Sequence, residues 1–149
     1  KEIMSRDVIY VRTTDVVLDA IKVLKENGIS GAPVIDEENN LRGVISGTDV
    51  LRLIGHLIDY HPFLIPFLDI LEKHPDDLTN IVKDASKKRV KEIMSEPAIV
   101  VDENASIYRA ASLMWKNDIN RLPVVDNDGT LVGIITRKDI LGVFKELGE

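Results

Sequence analysis

The sequence predicts an α+β protein: two β-α-β-β-α repeats, strands on one side and helices on the other, that close on each other about a pseudo-twofold axis. Three observations lead there. Residues 1–53 and 91–143 are one segment written twice, ninety positions apart and without a gap, with roughly a third of the positions identical. Within each copy, short β-branched runs give way to apolar residues at helical spacing and then to β-branched runs again. Two copies, rather than the many of a solenoid, suit units that close on each other.

The elements follow in order. Ile9 to Val11 and Ile99 to Val101 end at polar residues and read as strands. Val17, Ala20, Ile21 and Leu24 then recur at helical spacing, as do Ile107, Ala110, Ala111 and Met114, so each stretch is an amphipathic helix with one buried face. The first helix stops at Asn27-Gly28, where glycine takes the left-handed cap, and its partner stops at Asn117-Asp118. Pro33 to Ile35 form the next strand. A polar turn at Glu37 to Asn40 leads into a third strand, Leu41 to Ser46. Asp126 to Gly129 is the matching turn, and its Asn-Asp-Gly run suits a tight hairpin. A last helix begins near Gly47 and near Arg137. We expect a first repeat over 1–60, a helical insert or linker over 61–89, and a second repeat over 90–149.

Composition narrows the function classes. A chain of 149 residues with 44% hydrophobic content and mean hydropathy near zero buries an ordinary core. Without cysteine, it has no disulfides, thiolate zinc sites or cysteine nucleophiles, which fits a reducing, cytoplasmic setting. A formal charge of −6 argues against general nucleic-acid binding, because neutralising phosphates needs a basic face. The most apolar stretch, Leu51 to Leu71, carries His56, Asp59, His61 and two prolines, so no membrane span is expected. No signal peptide is visible, and the chain opens at Lys1 rather than Met, as a piece of a longer protein would.

In each copy a hydroxyl precedes an aspartate by three positions at a helix start: Ser46 with Asp49, and Thr136 with Asp139. Read from the residues alone, this is a capping box, worth roughly 1 kcal/mol. The copies differ beside it. Asn120-Arg121 and Arg137-Lys138 stand where Ser30-Gly31 and Gly47-Thr48 stand in the first copy. One side therefore offers Arg121 and Lys138 with Thr136 and Asp139, whereas its twin offers only small neutral groups with Ser46 and Asp49. Arg121 and Lys138 also read as ordinary solvated side chains.

The β-α-β-β-α order resembles the CBS domain family. So do the segments GVISGTD at Gly43 to Asp49 and GIITRKD at Gly133 to Asp139, the KEIMS entries at Lys1 and Lys91, and the ISGAPVID and INRLPVVD segments. The resemblance covers nearly everything except Ile54 to Arg89. It implies a tandem pair, or Bateman module, whose packed sheets leave two related clefts for adenosine compounds such as AMP, ADP, ATP or S-adenosylmethionine. Such a module regulates an attached or partner protein. By the same resemblance, Asp49 and Asp139 would accept hydrogen bonds from ribose hydroxyls, while Ser46, Thr136 and the helix amides meet phosphate. Phosphate should prefer the set with Arg121 and Lys138 over its twin with Gly47 and Thr48. Asn120, Arg121 and Ser30 would stand nearby. The base would lie against Ile9, Ile29 and Ile134 in one cleft and against Ile99, Ile119 and Val44 in the other. All six also read as plain core.

The stretch from Ile54 to Arg89 holds all three histidines, His56, His61 and His74, and the aromatics Tyr60, Phe63 and Phe67. A metal site on His56, Asp59 and His61 suits divalent ions chemically, but i, i+3 and i+5 do not share one helical face and Pro62 interrupts the geometry. The apolar residues from Leu51 to Leu71 more simply extend the last helix and then cover the module or contact a second copy. The run Lys83, Lys87, Lys88, Arg89, Lys91 reads as a solvated approach to the second repeat, or as a group near a ligand phosphate.

The expected protein is a regulatory adenosine-nucleotide binder without catalysis or catalytic cofactor. It would work as a homodimer that signals to an effector protein. Asp49 and Asp139 belong to different repeats and the histidines lie away from both, so no acid–base pair is evident. The alternatives are a structural or oligomerisation module with empty clefts, S-adenosylmethionine binding, and a metal-responsive module built on the insert histidines.

Overall fold

Each repeat packs the apolar face of its first helix against its own sheet, and the resulting elements follow the repeated sequence closely. The structure is a computed structural model that describes residues 3–60 and 87–148. The first repeat runs β1 (Val11–Arg12), α1 (Val17–Glu26), β2 (Gly31–Ile35), β3 (Leu41–Ser46) and α2 (Gly47–Tyr60). The second begins with a short helix, α3 (Val90–Ile93). It continues with β4 (Val101–Asp102), α4 (Ile107–Asn117), β5 (Arg121–Val125), β6 (Leu131–Thr136) and α5 (Arg137–Leu147).

Two three-stranded sheets result, ordered β1-β2-β3 and β4-β5-β6, each with a parallel first pair and an antiparallel second. Their registers coincide at the ninety-residue offset: Gly31 faces Ser46 as Arg121 faces Thr136, and both hairpins shift register at Val34/Ile35 and Val124/Val125. The punctuation repeats too. Gly28 (φ 61) and Asp118 (φ 51) end the first helix of each repeat in the left-handed region, and Asn39 (φ 66) and Gly129 (φ 79) turn the two hairpins.

The opening strands differ from the sequence expectation. They are Val11–Arg12 and Val101–Asp102 rather than Ile9 to Val11 and Ile99 to Val101, because only these pairs meet the ends of β2 and β5. Ile9 and Ile99 stay outside the ladders, half-buried.

The repeats are joined by an exchange of their entry segments. Ser5 donates to the Ile134 carbonyl at 2.9 Å and accepts from its amide at 3.0 Å, while Ser95 makes the same two bonds with Val44 at 2.9 and 3.0 Å. Each KEIMS segment thus adds a bridge to the other repeat's sheet. Glycine is required at both crossings. A Cβ on Gly43 would sit 2.5 Å from the Ser95 carbonyl oxygen, and one on Gly133 would overlap Met4 Sδ.

Side chains follow the exchange. Val90 is fully buried with Val11, Ala20, Val34 and Ile45 of the first repeat, and Met4 is buried with Val101, Leu122, Val124 and Ile135 of the second. The amide of Val17 donates to the Lys88 carbonyl at 2.8 Å, so α1 is capped by the incoming chain, whereas α4 uses Ser106 Oγ, which accepts from the Arg109 amide at 3.1 Å. The counterparts of the residues around Val90, namely Val101, Ala110, Val124 and Ile135, line a cavity of about 390 Å³ with Ile3 and Met4.

Candidate functional site

Two clefts open where the β2–β3 and β5–β6 hairpins and the entry segments meet, and each draws residues from both repeats. The first, cleft A, has a volume of about 550 Å³. Ile9 and Ile29 of the first repeat and Ile134 of the second form its apolar wall. Thr136, Arg137, Lys138 and Asp139 stand at the other end, where β6 runs into α5, with Ser30, Asn120 and Arg121 between. An apolar wall with convergent polar groups in this size range is what a small-molecule site offers.

Cleft B is its pseudo-symmetric twin and forms two connected hollows, of about 490 and 120 Å³, that share Ser46, Asp49, Ser95, Ile119 and Arg121. Val44, Ile99 and Ile119 line its apolar part, and Ser46, Thr48 and Asp49 mark the start of α2. The structure therefore brings together all the candidate residues in the two expected sets. It also corrects the assignment of Arg121 to one cleft only: Arg121, Ser30 and Asn120 line both. The side chain starts opposite Thr136 in the β5–β6 ladder, yet its Nη2 donates to Ser30 Oγ of the other repeat. Burial pushes this guanidinium below its ordinary pKa, and it stays charged at neutral pH because arginine starts so high.

The carboxylates are held differently. In cleft A, Thr136 and Asp139 form a complete capping box: Asp139 Oδ2 accepts from the Thr136 amide at 2.8 Å and from Oγ1 at 3.0 Å, and Thr136 Oγ1 accepts from the Asp139 amide at 3.3 Å. Oδ1 of Asp139 has no bond among the described residues. In cleft B, Asp49 is only 2% exposed and both its oxygens are engaged. Oδ2 accepts from the Ser46 amide at 2.8 Å and from Ser46 Oγ at 3.2 Å; Oδ1 accepts from Ser95 Oγ at 2.7 Å and from Arg52 Nη1 at 3.1 Å. The counterparts of Ser95 and Arg52 are Ser5 and Gly142, and neither reaches Asp139.

Ser95 and Arg52 were missed by the sequence reading. The identical KEIMS segments gave both serines equal weight, and Arg52 has no counterpart to draw notice. Arg89, considered as a ligand group, instead donates to the Thr14 carbonyl at 2.9 Å and supports the start of α1. His61 and His74, with Lys83, lie outside the described residues, as do the side chains of His56 and Asp59. Among the described residues, no three acidic or histidine side chains are placed to hold a metal ion, and no helix is long and apolar enough to cross a membrane.

Comparison with known proteins gives the same architecture. The CBS domain family model matches residues 1–56 and 90–146. An uncharacterised Methanocaldococcus jannaschii protein, MJ1426, is 35% identical over 148 residues, covering 95% of this chain and 88% of its own. The crystal structure of Arabidopsis thaliana CBSX2 in complex with AMP is similar with a TM-score of 0.73 at 28% identity, over 99% of this chain and 96% of that one. The CBS domain pair of MJ0100, solved with 5'-methylthioadenosine and S-adenosyl-L-methionine, gives a TM-score of 0.71 at 25% identity over 96% of each chain. With two matched segments, two sheets that exchange entry segments and a relative matched over most of its length, this chain belongs to the CBS domain family as a tandem pair.

Proposed function

We propose that this chain is a regulatory module that binds an adenosine nucleotide, AMP before the others, with cleft A as the principal site. The observation that carries this reading is the layout of cleft A. An aliphatic wall of Ile9, Ile29 and Ile134 suits a base, a carboxylate with one open oxygen on Asp139 suits a ribose diol, and Arg121, Lys138 and the α5 amides suit a phosphate. AMP in CBSX2 and the two adenosine compounds in MJ0100 support the ligand class. Cleft A sets three cationic side chains, Arg121, Arg137 and Lys138, against two carboxylates, Asp7 and Asp139, and this excess of positive charge favours a phosphate over the positively charged sulfonium of S-adenosylmethionine.

Cleft B favours the other reading, a structural role, because Asp49 already spends both oxygens on protein donors. The repeats extend over 1–60 and 90–149 with 61–89 as insert, and the setting is a reducing cytoplasm. Nothing in the proposed role needs a catalytic group or a catalytic cofactor. Bound ligand shifts the arrangement of the repeats or of a homodimer, which an effector protein senses. Exposed Trp115 (87%), Leu147 (72%), Tyr108, Leu141 and Phe144 on α4 and α5 give the second copy an apolar surface to cover.

Calorimetric titration with AMP, then ATP and S-adenosylmethionine, tests the proposal. Saturable AMP binding that weakens on Arg121→Gln is the expected result. No heat and no thermal shift with any of the three leaves the structural reading.

A further inference from the structure

We infer that Arg121 couples the two clefts negatively: one guanidinium serves both, so an anion held in one cleft keeps it from the other. This rests on the proposed reading that the clefts take adenosine nucleotides. The repeats supply each cleft with its own carboxylate, hydroxyl and apolar wall, but they supply only one such arginine. Its counterpart is Gly31, where a Cβ would sit 2.5 Å from Arg121 Nη1 and 2.9 Å from the Ile45 carbonyl oxygen. The space a second arginine would need is thus filled by the first.

The clefts do not depend on Arg121 equally. Cleft A also has the exposed Arg137 and Lys138, whereas cleft B has Gly47 and Thr48 in their place. The other cation of cleft B, Arg52, is bonded to Asp49 at 3.1 Å. Cleft A therefore fills first and draws the Arg121 guanidinium to its own phosphate, and cleft B meets its ligand with only the Asp49-bound Arg52. Linkage makes the penalty mutual: whatever factor A imposes on B, B imposes on A.

The test is to block one cleft and read the other. Ile9→Trp fills the apolar wall of cleft A without touching cleft B, and AMP binding in B is followed by NMR at the amides of Val44 and Thr48. The affinity of cleft B rises about tenfold over the wild-type protein with cleft A saturated, as one charge-assisted bond requires. The gain disappears when Arg121→Gln is added to both proteins, and it is absent with adenosine, which has no phosphate. Ile99→Trp, blocking cleft B, leaves cleft A at its wild-type affinity, because A fills while B is still empty. Unchanged affinity in cleft B of the Ile9→Trp protein, while AMP still binds there, overturns the coupling alone. AMP binding in neither cleft of the wild-type protein overturns the nucleotide reading, and the coupling with it.

Discussion

Cleft A and cleft B are built from matching positions of two copies of one repeat, yet one aspartate is open and the other is closed. Asp139 uses one oxygen to cap its helix and leaves the other without a bond among the described residues. Asp49, at the matching position, is buried and accepts four hydrogen bonds from protein donors. The difference comes from two neighbours, a serine rotated inward and an arginine one turn along the helix. A duplicated motif thus yields one open and one closed carboxylate, which under the proposed reading makes a binding half and a supporting half.

The sharpest way to break the comparison is to make the same substitution in both halves. Asp49→Ala strips Ser46, Ser95 and Arg52 of their acceptor in a buried position, so chemical denaturation gives a loss of about 3 kcal/mol. Asp139→Ala costs only the capping contribution, about 1 kcal/mol, but weakens AMP about a hundredfold, the value of two charge-assisted bonds to a ribose diol. Equal stability losses in the two variants would erase the distinction.

The repeated architecture was legible because duplication states it twice: β3 falls on Leu41 to Ser46, and the last helices start at Gly47 and Arg137, as their local patterns require. What local pattern does not carry is the exchange of entry segments. Ser5 and Ser95 sit in identical pentapeptides, and their pairing with Ile134 and Val44 is made by the docking of the repeats, with Gly43 and Gly133 as its only sequence trace. The same holds in the clefts. Position along the chain named the residues, but only the fold places Arg121 between two sites and turns Ser95 onto Asp49.

A smaller effect sharpens the contrast. Arg52→Ala removes a half-exposed ion pair worth up to about 1 kcal/mol and uncovers one side of Asp49 Oδ1. Together with Ser95→Ala, it raises AMP affinity in cleft B several-fold while lowering stability slightly, as titration and thermal melting of the double variant would register. The smallest effect lies away from both clefts and serves as a control. Backbone bonds from Asn40 and Glu38 hold the Asp36 carboxyl below its ordinary pKa, led by the bond from Asn40. A folded pKa below the unfolded one gives stability that is present above the carboxylate range and lost as pH falls through the folded value. Asp36→Asn should flatten the acid side of the melting profile while AMP affinity at neutral pH stays unchanged.

The most direct measurement of the central claim is a residue-resolved NMR titration of the wild-type chain with AMP. The amides of Ile134 and Thr136 in cleft A should saturate at concentrations that leave Val44 and Thr48 in cleft B still unshifted. Saturation of cleft B first, or of both together, would contradict the account of one open and one closed aspartate.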